Sequence, residues 1–268
     1  MPGYNHSPVK RDVVKGWSAG AVRRHTAWLY SISAPALDGV GFALTLTLRK
    51  TPGSAEVFHA VRRSWIRRVE RLGASRIHWV IEWQRRGTPH LHLAVYFPSG
   101  AVPVQAAGQM IAAWVSLTGD DYGSSLSGQH FDEISGALGW LQYLSKHAAR
   151  GVKHYQRSGK PAGWEKSGRL WGHTGSWPSE APMRFDMESA AYWRLRRLVR
   201  SWRVAQSRSA GDARRIGFAR RMLRNNDKNQ SSVRGVNDWV SEELLVTFIA
   251  LLESEGFQVS QRVDLAQS

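Results

Sequence analysis

The stretch that decides the fold reads Gly87-Thr88-Pro89-His90-Leu91-His92-Leu93-Ala94-Val95-Tyr96-Phe97. Its apolar residues alternate, and a β-strand places successive side chains on opposite faces of its sheet. His90 and His92 therefore share one face, while both leucines, Val95 and Phe97 share the other. Two imidazoles on one face of an apolar strand predict a site for a divalent metal ion, which needs further ligands.

The preceding segment offers a third ligand, because it alternates in the same way: Arg76-Ile77-His78-Trp79-Val80-Ile81-Glu82-Trp83-Gln84. The short connection at residues 85–88 predicts a β-hairpin that brings Glu82 beside the histidine pair. His78 shares the face of Glu82 and is the alternative ligand. Two histidines and one carboxylate, with coordination positions left open, favour Mg or Mn catalysis over a closed structural zinc site.

The segments around this hairpin predict an α+β fold with an antiparallel-rich central sheet. Their patterns indicate a strand at 39–48, a helix from Ser54 to about 72, a helix at 103–117, a short strand at 129–134, a helix at 136–150 and a strand edge at 169–172. The three clearest strands each have an apolar side and a polar side. We therefore expect helices on one face of the sheet and the metal site on the other.

The composition indicates a polyanionic partner. The chain has 268 residues, with 37 Lys and Arg against 21 Asp and Glu, and its formal net charge is +16. Nucleic acid is favoured over a membrane, since no stretch approaches the ~20 apolar residues of a membrane span. The absence of cysteine excludes disulfides and thiolate metal sites. We expect an intracellular protein, because the N-terminus lacks the apolar stretch of a signal peptide.

The charge distribution predicts three parts. Residues 1–35 form a basic, irregular lead-in, residues 36–180 form the domain with the sheet, and residues 181–268 form a helical extension. Within the extension, residues 184–234 hold 14 Lys and Arg against 4 Asp and Glu, whereas residues 237–268 hold 6 acids against 1 Arg. We expect helices near 188–206, 212–224 and 240–252, and contact between the basic part and DNA phosphates.

A second informative stretch reads Gly139-Trp140-Leu141-Gln142-Tyr143-Leu144-Ser145-Lys146-His147. On a helix, residues three or four positions apart share a face. Trp140, Tyr143, Lys146 and His147 are therefore expected along one side. A tyrosine one turn before a lysine is a reasonable nucleophile arrangement, since the ammonium group favours the phenolate form of a phenol whose ordinary pKa is about 10.

Taken together, these motifs resemble those of the HUH endonucleases, and most closely those of the replication initiators of rolling-circle plasmids and single-stranded DNA phages. The matching pieces are Phe42–Thr47, Glu82, Arg86–His92, Tyr143–Lys146 and Arg169–Gly172. The resemblance covers about residues 40–175 and depends on the order and spacing of all the motifs, because each motif is weak when taken singly.

The resemblance implies an RRM/ferredoxin-like HUH fold and a specific chemistry. His90 and His92 would bind Mg or Mn, with Glu82 as the third ligand. Tyr143 would attack the scissile phosphodiester to give a 5′-phosphotyrosine and a 3′-OH primer, and Lys146 would orient the phosphate. The implied substrate is single-stranded origin DNA in the cytoplasm of a bacterial host cell, with a host helicase and a host DNA polymerase as partners.

Other functions remain open at the level of sequence. An HUH transposase or a relaxase would use the same chemistry. A DNA-binding regulator would use the metal site only structurally. A small-molecule hydrolase also uses His-x-His on a strand, but it would need further metal ligands and would leave the charge of +16 unexplained.

Overall fold

The computed structural model describes residues 13–136, 139, 140, 143, 147, 151–180, 184–213, 216, 217, 220, 240 and 242–262. The described helices are α1 (Ala19–Ser31), α2 (Ala55–Arg71), α3 (Ala106–Tyr122), α4 (Tyr155–Ser158), α5 (Ser189–Ser209) and α6 (Glu242–Ser254). The described strands are β1 (Val40–Thr47), β2 (Arg76–Trp83), β3 (Pro89–Phe97), β4 (His130–Ile134), β5 (Trp171–Thr174), β6 (Arg184–Met187) and β7 (Val259–Arg262).

A five-stranded sheet with the order β4-β1-β3-β2-β5 is the centre of the fold. Each pair of neighbouring strands is antiparallel. The predicted α+β class with an antiparallel-rich sheet is therefore confirmed. The strand with the two histidines, β3, lies in the middle, and all nine of its residues are buried.

The β2–β3 hairpin closes as its sequence predicts. The amide of Gln84 donates to the carbonyl of Thr88 at 2.9 Å, and the amide of Gly87 donates to the carbonyl of Gln84 at 2.9 Å. Gly87 has a φ of +82°, a conformation that a residue without Cβ adopts at little cost. This tight turn sets the register of the two strands.

Two long helices cover the apolar face of the sheet. Helix α2 begins at the N-cap Ser54, whose hydroxyl accepts a hydrogen bond from the amide of Val57 at 3.4 Å. Trp65 of α2 is fully buried and donates its indole N–H to the carbonyl of Met110 in α3 at 2.9 Å. Trp114 of α3 donates in the same way to the carbonyl of Thr47 at 3.1 Å, which ties this helix to β1.

The chain divides into two compact units, each assembled from separate segments. The first unit contains the described residues of Met1–Ser18, Asp38–Ile134 and Val152–Ser176, and therefore the whole five-stranded sheet. The second unit contains the described residues of Ala19–Leu37, Ser135–Gly151 and Trp177–Ser268. The division into parts at residues 35 and 180 stays a prediction.

Two features of the second unit were missed by the sequence analysis. The lead-in was expected to be irregular, but helix α1 occupies residues 19–31 and buries Val22, His25, Thr26 and Leu29 at helical spacing. Strands β6 and β7 pair with each other although they are far apart in sequence. A small core of Leu195, Val199, Phe248, Ile249 and Leu252 joins α5 to α6.

Several predicted helices are described only in part. The segment predicted as a helix at 136–150 is helical at each of its described residues, which are 136, 139, 140, 143 and 147. Most of the helix predicted at 212–224 lies outside the described residues. Within the described ranges, no helix is both long enough and apolar enough to cross a membrane.

Candidate metal centre

The register of the hairpin brings three possible metal ligands together. Glu82 lies directly opposite His90 in the β2–β3 pairing, and His92 lies two positions further along the same face. One ligand atom of each side chain lies within 4.8 Å of the others. The structure thus joins the three residues that the sequence analysis proposed as ligands.

The three side chains are buried, with Glu82 at 0%, His92 at 3% and His90 at 8% exposure. Nε2 of His92 lies 3.2 Å from Oε2 of Glu82, and the two imidazole rings have centroids 4.4 Å apart. Two imidazoles and a carboxylate that converge in this way fit a divalent ion with open coordination positions. The group could hold a metal ion.

A threonine of the neighbouring strand orients one of the histidines. Thr45 of β1 lies directly opposite His92, and its Oγ1 lies 3.0 Å from Nδ1 of His92. In the tautomer with a lone pair on Nε2, Nδ1–H donates to this hydroxyl. The contact therefore directs Nε2 of His92 towards Glu82, as the outer hydrogen bond of a metal-binding histidine typically does.

A buried arginine adds positive charge beside the carboxylate. Nε of Arg157, on α4, lies 3.8 Å from Oε1 of Glu82, and both side chains are fully buried. The guanidinium stacks over the ring of Trp17 at 4.3 Å, and the indole N–H of Trp17 donates to the carbonyl of Ile81 at 3.0 Å. Sequence reasoning missed Arg157, because no periodic pattern links residue 157 to the hairpin.

His78, the alternative ligand, is not part of the group. It lies four residues before Glu82 on the same face of β2, a distance of about 13 Å along a strand. His78 pairs in register with Ala94 of β3 and His173 of β5. The group among the described residues contains Glu82 instead.

The candidate nucleophile belongs to the second unit. Tyr143 is 6% exposed, and its ring lies between Trp140, with centroids 5.5 Å apart, and His147, with centroids 4.7 Å apart. These three residues share one side of the helical segment, as the spacing predicts. His147 is fully buried. Lys146 lies outside the described residues.

Several arginines of α5 have structural contacts, while others face solvent. Arg194 forms a bidentate ion pair with Glu255, which holds the pKa of that carboxyl below its usual value. Arg196 is fully buried, with its guanidinium 4.6 Å from the ring centroid of Trp193. Arg197 and Arg208 are exposed, so the part of this helix that is open to a polyanion is smaller than its arginine count suggests.

Comparison with known proteins places these features in a family. The model of the replication-associated protein ORF2/G2P family matches residues 41–158, a range that includes Thr45, Glu82, both site histidines, Tyr143 and Arg157.

Similar proteins share nearly the full length of the chain. A provisionally named replication protein of Xylella fastidiosa strain 9a5c is 44% identical over 265 residues, covering 96% of this chain and 92% of the relative. A second protein of this description, from Xylella fastidiosa strain Temecula1, is 46% identical and covers 88% of this chain and 92% of the relative. The replication-associated protein G2P of Pseudomonas phage Pf3 is 41% identical and covers 96% of this chain and 92% of the relative. No solved structure shows significant similarity to the chain.

Proposed function

The chain belongs to the replication-associated protein ORF2/G2P family, and from this premise we propose that it initiates rolling-circle DNA replication by nicking and rejoining one DNA strand at a specific site. The buried group of Glu82, His90 and His92 is the observation that carries the proposal. A nickase of this type uses a metal ion to activate a phosphodiester, whereas a protein that only binds DNA does not require one. The names of the relatives support DNA as the substrate.

Glu82, His90 and His92 would together hold one divalent ion, Mg or Mn. When bound, this ion supplies Lewis-acid polarisation of the scissile phosphate. The chain prepares the ligands in advance: Thr45 orients the ring of His92, and Arg157 offsets the charge of the buried Glu82 carboxylate. Ligands that are held in place in this way need little rearrangement when the ion and the DNA bind.

We assign the role of nucleophile to Tyr143. Its phenol oxygen forms a bond to the scissile phosphorus while the bond between that phosphorus and the 3′ oxygen breaks. The phenol loses its proton and the departing 3′ oxygen gains one, which leaves a 5′-phosphotyrosine and a 3′-OH that a polymerase extends. Attack by a 3′-OH on the phosphotyrosine rejoins the strand. Each step exchanges one phosphodiester for another, so no ATP is consumed.

Two features of the tyrosine segment bear on this step. Lys146, three positions after Tyr143 in the sequence, is assigned to orient the phosphate. Because Tyr143 is only 6% exposed between Trp140 and His147, its hydroxyl has to become accessible when DNA binds. We infer that DNA binding opens this aromatic stack, and that the stack limits reaction of the tyrosine in the absence of DNA.

The proposed partners follow from charge and from what the sequence lacks. The net charge of +16 favours binding to single-stranded origin DNA. The sequence contains no Gly-rich phosphate loop ending in Lys-Ser/Thr, so an attached helicase is not indicated. A host helicase would separate the strands and a host polymerase would extend the 3′-OH.

The decisive experiment detects the covalent intermediate. Labelled single-stranded DNA segments that tile the replicon carrying the gene are incubated with protein and Mn, and covalent complexes are resolved on denaturing gels. We expect an adduct with the wild type and none with Tyr143→Phe. The matched control is Tyr155→Phe, which removes the hydroxyl of a tyrosine that is 44% exposed and should leave the adduct unchanged. An adduct that persists in Tyr143→Phe would assign the nucleophile to another residue.

The metal requirement is tested on the same gels. The double variant His90→Ala, His92→Ala should form no adduct. The control His130→Ala removes an exposed histidine of β4 that bonds only to Asp132 in the described contacts, and it should retain the adduct. A wild type that binds the DNA segments but forms no adduct with any of them, in Mn or in Mg, would favour a non-catalytic DNA-binding regulator.

A further inference from the structure

A buried arginine on the helix side of the sheet has no counter-ion among the described residues. Arg62 of α2 is 8% exposed, and its Nε is fully enclosed. Its guanidinium stacks on the ring of Trp79 with Cζ 3.6 Å from the ring centroid. Within the part of the chain that the structure describes, Arg62 has neither a hydrogen-bond acceptor nor a carboxylate partner. Trp79 and Glu82 point to opposite faces of β2, so this arginine is separate from the metal centre.

The charges around Arg62 are of the same sign. Burial, together with the positive charges of Arg63 and Arg169, lowers the pKa of Arg62 to about 10. Arg63 and Arg169 are both exposed. The positive charges of Arg63 and Arg169 therefore act on a guanidinium whose Nε is enclosed by the protein. A buried cation without a partner costs several kcal/mol in general, and a bound anion removes that cost.

A histidine one turn earlier on α2 belongs to the same cluster. Nε2 of His59 donates to the carbonyl of Ser167 at 2.8 Å, while its Nδ1 is buried without a partner among the described residues. Burial is the main cause that lowers the pKa of His59, and Arg62 and Arg63 lower it as well. Glu56, an acid that raises the pKa of this histidine, is itself held by its own backbone amide and by Ser54.

The loop that carries Arg169 packs closely against α2. Gly168 has a φ of +64°, and a Cβ at this position would lie 2.5 Å from Nε2 of His59. Gly172 pairs with Trp79 in the sheet, and a Cβ there would lie 2.6 Å from the indole ring. Both glycines allow the backbone to approach these rings. Arg169 is therefore presented by a tightly packed segment, which favours a preformed site over a chance cluster of surface charges.

We propose that Arg62, Arg63 and Arg169 bind a phosphate group on the helix side of the sheet, at a site distinct from the metal centre. A phosphate oxygen accepts the hydrogen bonds that Arg62 cannot make within the described chain, and the planar guanidinium suits bidentate contact with it. The phosphate is either a backbone phosphate of bound nucleic acid or free inorganic phosphate. The proposal does not depend on nicking activity.

The test compares thermal unfolding in sodium phosphate and in sodium chloride at equal ionic strength and pH. At a phosphate concentration about tenfold above the dissociation constant, we expect the Tm of the wild type to rise by about 3 °C. Arg62→Met should show no such rise. The matched control Arg67→Met removes an exposed arginine of the same helix that bonds only to Ser64 in the described contacts, and it should keep the full rise.

A second comparison separates an anion site from a purely structural arginine. In chloride, Arg62→Met should be at least as stable as the wild type, because it replaces a buried unpaired charge with an apolar chain. Arg169→Gln, at an exposed position, should fold normally and weaken phosphate binding in calorimetric titration. The proposal is overturned if phosphate stabilises the wild type no more than chloride does, or if Arg62→Met retains the full phosphate effect.

The source of the phosphate is decided with a fluorescent single-stranded oligonucleotide. For a nucleic-acid phosphate, Arg62→Met should reduce the slope of log affinity against log salt by about one relative to Arg67→Met. Free inorganic phosphate should then also compete with the oligonucleotide. For a site that takes only inorganic phosphate, both variants should bind the oligonucleotide as the wild type does.

Discussion

At the scale of single residues, two side chains contact the group of Glu82, His90 and His92 without belonging to it. Thr45 holds Nδ1 of His92, and Arg157 lies beside the carboxylate of Glu82. In the proposed metal site, the first contact would set which ring nitrogen faces the ion. The second places a positive charge next to a carboxylate that is fully buried. Both act on the ligands through geometry or charge, so their effects should be visible in metal binding and in stability as well as in activity.

The hydrogen bond between Thr45 and His92 should strengthen metal binding at the proposed site. Thr45→Val keeps the shape of the side chain and removes the hydroxyl, so the ring of His92 loses its orienting partner. We expect Mn affinity to fall by roughly tenfold, the lower end for such contacts, as measured by electron paramagnetic resonance of unbound Mn. Thr47→Val is the control, because the hydroxyl of Thr47 donates to the carbonyl of Gly128. Equal Mn affinity in Thr45→Val and the wild type would contradict this role.

Arg157 should stabilise the protein most when no metal is bound. Arg157→Met leaves the Glu82 carboxylate buried without its positive neighbour, which in comparable pairs costs about 3 kcal/mol of unfolding free energy. Urea unfolding of the metal-free protein measures this loss, and saturating Mn should recover part of it by supplying positive charge.

The control for Arg157 is another arginine that stacks on an aromatic ring. Arg85→Met removes an exposed guanidinium that lies 5.0 Å from the ring centroid of Tyr155, and it should change stability by less than about 0.5 kcal/mol. If Mn stabilised the wild type and Arg157→Met equally, the charge of Arg157 would have no effect on the Glu82 carboxylate.

At the scale of elements, local patterns predicted the β2–β3 hairpin and helix α2 well, whereas they missed α1 although it buries one face. The alternating residues of β2 and β3 and the N-cap Ser54 are local signals, because each lies in or next to the element that it predicts. The β6–β7 pair escaped prediction because its two strands are distant along the chain and each has only four residues. So short a stretch contains too few alternations to be recognised.

The turn after β5 should tolerate only glycine. Gly175 has a φ of +76°, and a Cβ there would lie 2.0 Å from the carbonyl oxygen of Ser75. Gly175→Ala therefore combines backbone strain with a backbone clash, and we expect a loss of about 3 kcal/mol in urea unfolding. Gly53→Ala is the control, because nothing lies within 4 Å of its Cβ position. A loss in Gly175→Ala no larger than in Gly53→Ala would show that the turn can rearrange.

At the scale of the whole molecule, the excess positive charge should dominate the affinity for DNA. With a net charge of +16, binding to a single-stranded oligonucleotide should weaken steeply as salt rises, because bound phosphates release counterions. Fluorescence anisotropy between about 50 and 200 mM salt measures this slope. A flat dependence would contradict the assignment of the basic segments to DNA binding.

The arginines of α5 provide an internal comparison for this effect. Arg197→Gln and Arg208→Gln change exposed positions and should each reduce the salt slope if α5 contacts DNA. Arg194→Gln breaks the ion pair with Glu255 and should leave the slope nearly unchanged. If all three variants kept the wild-type slope, the DNA-binding surface would lie elsewhere in the chain.

The sequence by itself predicted the class of fold and the clustering of Glu82, His90 and His92. A two-residue period and a short turn set their positions, and both of these are local. Only the tertiary structure revealed the contact of Thr45 with His92, the contact of Arg157 with Glu82, and the burial of Arg62 without a carboxylate partner among the described residues. Thr45 reaches His92 across 47 positions because β1 pairs with β3 in one register. Such contacts depend on which distant segments pack together, and no local pattern records that choice.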